Sequence, residues 1–508
     1  MVSTEQTMLI LTALFFIYVL HFLVRRRRRS NLPLPPGPRG YPLLGALPLI
    51  GDAAHASLAA MAKRYGPIMH LKLGTRSVVV ASTTSAARTF LTALDLQFAN
   101  RPTATMNAKE AAYNGDDMVF SNYNPRWKLL RRLSTLHMLG GKAFAKWANV
   151  RRSEVTHMLK SMHESGMAGK PVVVPEMLVC ATANIIGRVM LSQRVFSSAD
   201  AELCKFKDVL KELMSGAGMF NIGDFIPGIG WMDVQGVKAK VMKGHARMDG
   251  MIKRMLAEHA ATAKEREGNP DFIDLILASE LQDEDGEKLT DVNIRGLLAN
   301  MFTAGTDTSS IIVEWALAEM IKNPTILKNL QSEMDIVIGR DRPLEESDIP
   351  DLPYLQAVCK EALRLHSSTP LSIPHFSFEP CDVEGYHIPA NTRLLINIWA
   401  IGRDPNVWES PLEFDPTRFL PGGKAVNIEP HGADFEMIPF GAGRRICVGK
   451  QAGIVFVQYF LGVLVHAFDW QMPEGEEIDL KETPGLVLPK AVPIKAFVTP
   501  RLASKAYL

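Results

Sequence analysis

Met8 to Val24 is a run of seventeen residues without a formal charge, and Arg25 to Arg29 follow it without a break. As a helix the run reaches about 25 Å at ~1.5 Å per residue, close to the thickness of a thin bilayer. Such a segment must sit in lipid or in a protein core, and core helices rarely end in a block of arginines. A cleaved signal peptide carries its positive charge before the apolar run and a small-residue cleavage site after it; here the order is reversed. The positive-inside rule then puts the arginines and everything beyond them on the cytosolic side of a membrane. Residues 1–30 are expected to be one membrane anchor. Residues 31–45, with Pro35-Pro36-Gly37-Pro38, cannot form regular helix or a central strand and are expected to be a stiff extended hinge. Residues 46–508 are expected to form one large body, because no internal repeat or Gly/Ser linker divides them.

Charge excludes another class. The chain has 56 Lys+Arg and 54 Asp+Glu, and removing the arginine block leaves 51 cations against 54 acidic groups. A slightly acidic body does not suit a protein that binds by neutralising phosphates, so no nucleic-acid partner is expected. The five cysteines, Cys180, Cys204, Cys359, Cys381 and Cys447, contain no C-x-x-C pair. A zinc ribbon or redox dithiol is not indicated, and a sparse odd set fits reduced thiols facing the cytosol.

Helical periodicity dominates the body. It predicts helices over 55–65, 85–94, 126–139, 144–165, 201–215, 237–268, 270–281, 290–323, 352–366 and 449–468. Short strand patterns occupy 68–73, 77–80, 387–388, 392–397 and 491–498. The fold class is mainly α with small β-sheets. No P-loop and no strand–GxGxxG–helix unit is present, so electrons for any redox chemistry would come from another protein. The acidic segment Gln282–Lys288 reads as a solvated loop.

One short segment carries the chemistry. Residues 440–449 read FGAGRRICVG. Its glycines allow a tight turn and a close approach to a flat ligand. Cys447 sits just before an apolar helical segment, where the helix dipole and unpaired N–H groups favour thiolate, the metal-binding form. The spacing F-x-x-G-x-R-x-C-x-G resembles the haem-binding loop of the cytochrome P-450 haem-thiolate monooxygenases. The resemblance spans about residues 31–500. It implies the cytochrome P-450 fold, haem b held by Cys447 as axial iron ligand, O₂ as co-substrate, and NADPH electrons delivered by an NADPH–cytochrome P-450 reductase.

Other segments fall in the order that family has. Ala304-Gly305-Thr306-Asp307-Thr308-Ser309 lies inside the long helix 290–323 and sets an acid beside a hydroxyl. The resemblance assigns Asp307 and Thr308 the delivery of protons for cleavage of dioxygen, a step that thiolate donation assists. Glu361 and Arg364, with Arg418 in the element Phe414–Phe419, are expected to lock the core in a structural role; Thr417 stands where the family usually has Glu. Trp127 and Arg131, four apart on one helical face, are expected with His375, Phe440 and Arg445 to hold the haem, several of them through its two propionates. Basic residues Lys128, Arg132 and Lys450 are expected to dock the acidic reductase.

The hydrophobic anchor and Pro-rich hinge resemble microsomal, plant-type members, which implies the endoplasmic reticulum membrane. Within them the stretches 111–120, 127–143, 265–274 and 397–414 are similar to flavonoid B-ring hydroxylases acting at the 3′ and 5′ positions. Thr306, Thr369 and Val487 are the candidate substrate-pocket residues, within a pocket drawn from 103–120, 220–226, 301–306, 369–374 and 486–488. Val487 is apolar where related enzymes carry Thr or a smaller residue, which questions the second hydroxylation. Hydroxylation at 3′ alone, another phenylpropanoid substrate, and a haem-thiolate isomerase or dehydratase working without O₂ are the alternatives.

Overall fold

The structure is a computed structural model, and it describes residues 32–507 apart from 197–200, 280, 281 and 283. The membrane segment expected over 1–30 lies outside the described residues. Two internal helices, Val174–Leu191 and Lys450–Ala467, are long and apolar enough to cross a membrane, but both are mostly buried in the core.

The principal helices are α1 (Ala54–Tyr65), α2 (Thr84–Leu91), α3 (Pro125–Ser134), α4 (Ala148–Met167), α5 (Val174–Leu191), α6 (Ala201–Gly218) and α7 (Val237–Ala261). They continue with α8 (Asp291–Lys322), α9 (Pro324–Val337), α10 (Pro353–Leu365) and α11 (Lys450–Ala467). Two of these, α5 and α9, escape the sequence reading. Helix α5 is buried nearly all round, from Leu178 to Leu191, so no polar face marks a 3.6-residue period.

Helix α8 is the axis of the molecule. It starts at a capping box in which Thr290 and Asn293 satisfy each other's end groups. Helices α5, α10 and α11 pack around it. Its polar centre does not break it: Thr303, Thr306, Thr308 and Ser310 each turn a hydroxyl back to the carbonyl four residues earlier, at 2.6–2.7 Å. These bonds satisfy the hydroxyls inside an otherwise apolar helix.

The largest sheet has four strands, Ile68–Leu73 (β1), Arg76–Ala81 (β2), His375–Ser377 (β3) and Thr392–Ile396 (β4), in the order β1-β2-β4-β3. Strand β2 runs antiparallel to β1, pairing Ile68 with Ala81, and parallel to β4, pairing Ser77 with Thr392. The edge strand sets His375 opposite Leu394. The Pro-rich hinge is docked on this part of the body rather than spanning free space. Pro36 and Pro33 carbonyls accept from His70 N at 2.9 Å and His387 N at 2.8 Å, and a Cβ on Gly37 would sit 1.8 Å from the His70 carbonyl oxygen.

A buried ionic lock ties α10 to the segment before the Cys447 loop. Glu361 and Arg364 form a two-pronged pair at 2.7 Å and 2.7 Å, and Arg418 Nε reaches the same carboxylate at 3.1 Å. Arg364 also donates to the carbonyls of Gly402, Pro411 and Glu413. Every charge in the cluster is thus paired and hydrogen-bonded, the condition under which buried ions are tolerated. Thr417, in place of the family's usual Glu, bonds to Asp415 and stands outside the lock.

Candidate active site

A cavity of about 310 Å³ lies between α8 and the Cys447 loop. Its floor is the loop. Gly441 and Gly443 both have φ of +68°, and a Cβ on Gly443 would meet the Leu91 carbonyl oxygen at 2.5 Å. The Cys447 N–H donates to the Phe440 carbonyl at 2.9 Å. The loop is also pinned from outside: Asp95 accepts from Arg444 N at 3.1 Å and from its guanidinium at 3.1 Å. Cys447 opens into the cavity. Burial pushes its thiol up, against the Gly449 N–H, Arg131 and Lys450, which pull it down. A bound metal cation would favour the thiolate against that desolvation.

The residues present fit a haem. The wall facing Cys447 offers Ala304, Gly305 and Thr308 from α8, a low surface against which a flat ligand can lie. On the rim, Arg445 is buried and donates to the Ala99 carbonyl at 2.5 Å and the Ser121 carbonyl at 2.6 Å, yet its Nη1 has no partner. Arg131 and His375 line the same rim. His375 Nδ1 bonds to the Phe98 carbonyl at 3.0 Å. Burial lowers Arg131 and takes Arg445 to about 10; burial, with Arg101 nearby, takes His375 to about 3. Arg131 and Arg445 are buried cations short of anions and call for carboxylates, which the two haem propionates would supply; His375 is neutral with its Nδ1 proton on the Phe98 carbonyl and would donate to a propionate only as the imidazolium that such a carboxylate favours.

Trp127 lines the cavity. Its indole N–H donates to the Met118 carbonyl at 3.0 Å and has no proton left for a propionate. What it gives the site is its ring, with the Arg445 guanidinium 4.4 Å and the Arg131 guanidinium 5.4 Å from its centre. Phe440 lies on the cavity wall beside Gly453, where a Cβ would touch its ring at 3.0 Å.

Asp307 and Thr308 are neighbours in sequence but not on the wall. Successive helical side chains point about 100° apart. Thr308 faces the cavity, while Asp307 does not line it. Among the described residues Asp307 has no hydrogen-bond partner, and burial raises its carboxyl to about 6. Thr306 and Val487 are corrections. Thr306 is fully buried with its hydroxyl on the Phe302 carbonyl at 2.6 Å. Val487 does not line the cavity and packs instead against Ile311 and Trp315 of α8. Its segment is held there because Trp315 Nε1 donates to the Leu488 carbonyl at 2.8 Å and Leu488 N to the Ser368 carbonyl at 2.9 Å. Thr369 does line the cavity, with Ser368, Ile373, Met118, Asn300 and Met301. The spans 220–226 and 486–488 do not.

Sequence reasoning missed Arg101 and gave Asp117 only as part of the pocket span 103–120. Arg101 ties Val119, Ile373 and Pro374 together by donating to their carbonyls at 3.2, 2.7 and 2.9 Å. Asp117 accepts from Phe120 N at 2.7 Å and Asn300 Nδ2 at 2.8 Å, and burial raises it to about 6. Both sit in irregular chain whose spacing carries no signal.

The comparisons agree with this geometry. The Cytochrome P450 family model matches residues 35–496, and the chain belongs to that family; it is a haem-dependent cytochrome P450 monooxygenase. Flavonoid 3′,5′-hydroxylase of Solanum melongena is 57% identical, over 95% of this chain and 93% of the relative. Flavonoid 3′-monooxygenase of Arabidopsis thaliana is 45% identical, over 100% of this chain and 99% of the relative. A zebra fish cytochrome P450 solved with progesterone superposes with a TM-score of 0.73 at 27% identity, covering 88% of this chain and 99% of that one.

Proposed function

We propose that the protein hydroxylates the flavonoid B-ring at the 3′ and 5′ positions, using O₂ and NADPH electrons passed by a reductase. The observation that carries the substrate is the identity of 57% to a flavonoid 3′,5′-hydroxylase against 45% to a 3′-monooxygenase, both over nearly the whole chain. Val487 is not among the residues that line the cavity, which weakens its objection to a second hydroxylation. Residues 1–30 serve as a single membrane anchor, residues 31–45 as the hinge and residues 46–508 as the cytosolic body at the endoplasmic reticulum.

The chain's own residues divide the work. Cys447 would ligate the iron; Arg131, His375 and Arg445 would hold the propionates. The haem, when bound, supplies the oxygen-activating chemistry. Thr308 stands on the wall opposite Cys447 with its hydroxyl proton on the Ala304 carbonyl, so its oxygen can accept a proton and pass one on. Asp307 stores the proton one residue back, since a carboxyl near 6 binds and releases it close to neutral pH. Glu361, Arg364 and Arg418 fix α10 and, through it, the Cys447 loop. The apolar wall with a few polar groups, Ser368, Thr369 and Asn300, suits a flat phenolic ligand.

The test is turnover of naringenin by membranes carrying the chain and a plant reductase. Oxidised naringenin that requires both NADPH and air supports the reading. A thiolate-type reduced-CO spectrum with no flavonoid product would leave the family and remove the substrate.

A further inference from the structure

The described residues of the segment expected to be a solvated acidic loop, Gln282 and 284–288, lie against cations of α3. Glu284 pairs both carboxylate oxygens with Lys128 Nζ at 2.9 Å. The Gln282 carbonyl accepts from Arg132 at 3.2 Å, and the Lys288 carbonyl accepts from Arg126. All three cations belong to α3, whose inner face carries Trp127 and Arg131 to the cavity. They therefore lie on the Cys447 side of the molecule, beside Arg444, which Lys128 feels electrostatically. An acidic electron donor that approached Cys447 by the shortest route would meet these same cations.

We propose that residues 282–288 act as a tethered internal competitor for the acidic face of the electron donor. The proposal rests on the reading of the protein as a reductase-fed monooxygenase. The contact is built to be displaced. Each described residue from 282 to 288 is exposed, so no apolar side chain in the segment clamps it to α3. Lys128 and Glu284 keep 38% and 62% of their side-chain surface open, and such pairs are weak and screened by salt. A partner with several carboxylates outbids one, and the segment then leaves the cations to it.

The test measures the reductase concentration that half-saturates the rate of first-electron transfer in the full-length membrane-bound protein, at low and high salt. The variant Glu284→Gln/Asp285→Asn/Glu287→Gln should need about two- to fivefold less reductase at low salt, with the gap closing at high salt. Lys128→Gln should need more, and adding it to the loop variant should erase most of the gain. Reduction by dithionite under CO should give the same spectrum for every variant, showing an intact site. An unchanged or raised requirement in the loop variant, while Lys128→Gln still weakens transfer, overturns the competitor. No effect of Lys128→Gln overturns the docking face on which the competitor depends, while naringenin turnover would still stand.

Discussion

The two walls of the cavity are built by different means. The Cys447 wall is held by backbone: left-handed glycines, the Cys447 N–H on the Phe440 carbonyl, and Asp95 gripping Arg444. The opposite wall is held by side-chain packing along one helix, with each hydroxyl tied to its own backbone. Backbone constraints demand particular residues at fixed spacing, so the first wall shows in the sequence as a motif. Packing demands only the right volume and polarity, so neighbours on α8 are interchangeable to the eye until rotation about the helix is known. On the proposed reading, the first wall holds the haem, and the second carries the Thr308 relay and meets the substrate.

Substitutions on the two walls should therefore fail in different ways. The largest effect belongs to the loop: Cys447→Ala should remove both the thiolate-type reduced-CO spectrum and all turnover, and a thiolate spectrum in that variant would break the assignment. Next is the lock beneath it. Glu361→Gln leaves Arg364 and Arg418 buried without a counter-charge and should cost about 3–5 kcal/mol of unfolding free energy; a loss under about 1 kcal/mol by denaturant titration would mean the lock is ornamental.

Behind the other wall, Asp307 gives a signed pH effect. Its folded carboxyl is held at about 6, above the ordinary 3.8, so the native state binds that proton more tightly than the unfolded chain. The associated stability is complete below pH about 4 and is lost as pH rises through about 6. Asp307→Asn should flatten that limb and gain on the order of 2–3 kcal/mol relative to the native chain above pH 6. Parallel stability curves for the two proteins would show that Asp307 is solvated.

Thr308→Ala should keep the spectrum and lower product formed per NADPH by roughly tenfold, with peroxide released instead, the lower end of proton-transfer effects. Unchanged coupling would remove Thr308 from the relay. Smallest is Val487→Thr, which buries a hydroxyl at a cost of about 1–3 kcal/mol and should leave the ratio of singly to doubly hydroxylated product unaltered, whereas Thr369→Val should shift it. A changed ratio with Val487→Thr alone would return that residue to the substrate wall.

The legibility of the chain follows the same division. FGAGRRICVG and the long helix 290–323 announce themselves, whereas the Glu361–Arg364–Arg418 cluster is legible only through the family resemblance, because an i,i+3 ion pair by itself most often lies on a surface. Helix α5 is silent because it is apolar on every side. Arg101 and Asp117 are silent because loop positions carry no period. Thr306 is misplaced because a motif states order along the chain and not direction around a helix, and Val487 because it lies in irregular chain whose neighbours only packing reveals. Even the acidic segment 282–288 reads as mere solvation until its partners on α3 are seen.

The central claim is that one cavity joins a thiolate-bound haem on the Cys447 wall to a flavonoid on the other. Feeding naringenin and heavy-isotope dioxygen to reductase-supplied membranes tests it most directly. The account predicts a product with two new B-ring oxygens, both carrying the heavy isotope. Unlabelled hydroxyls, or intact naringenin beside a good reduced-CO spectrum, would contradict it.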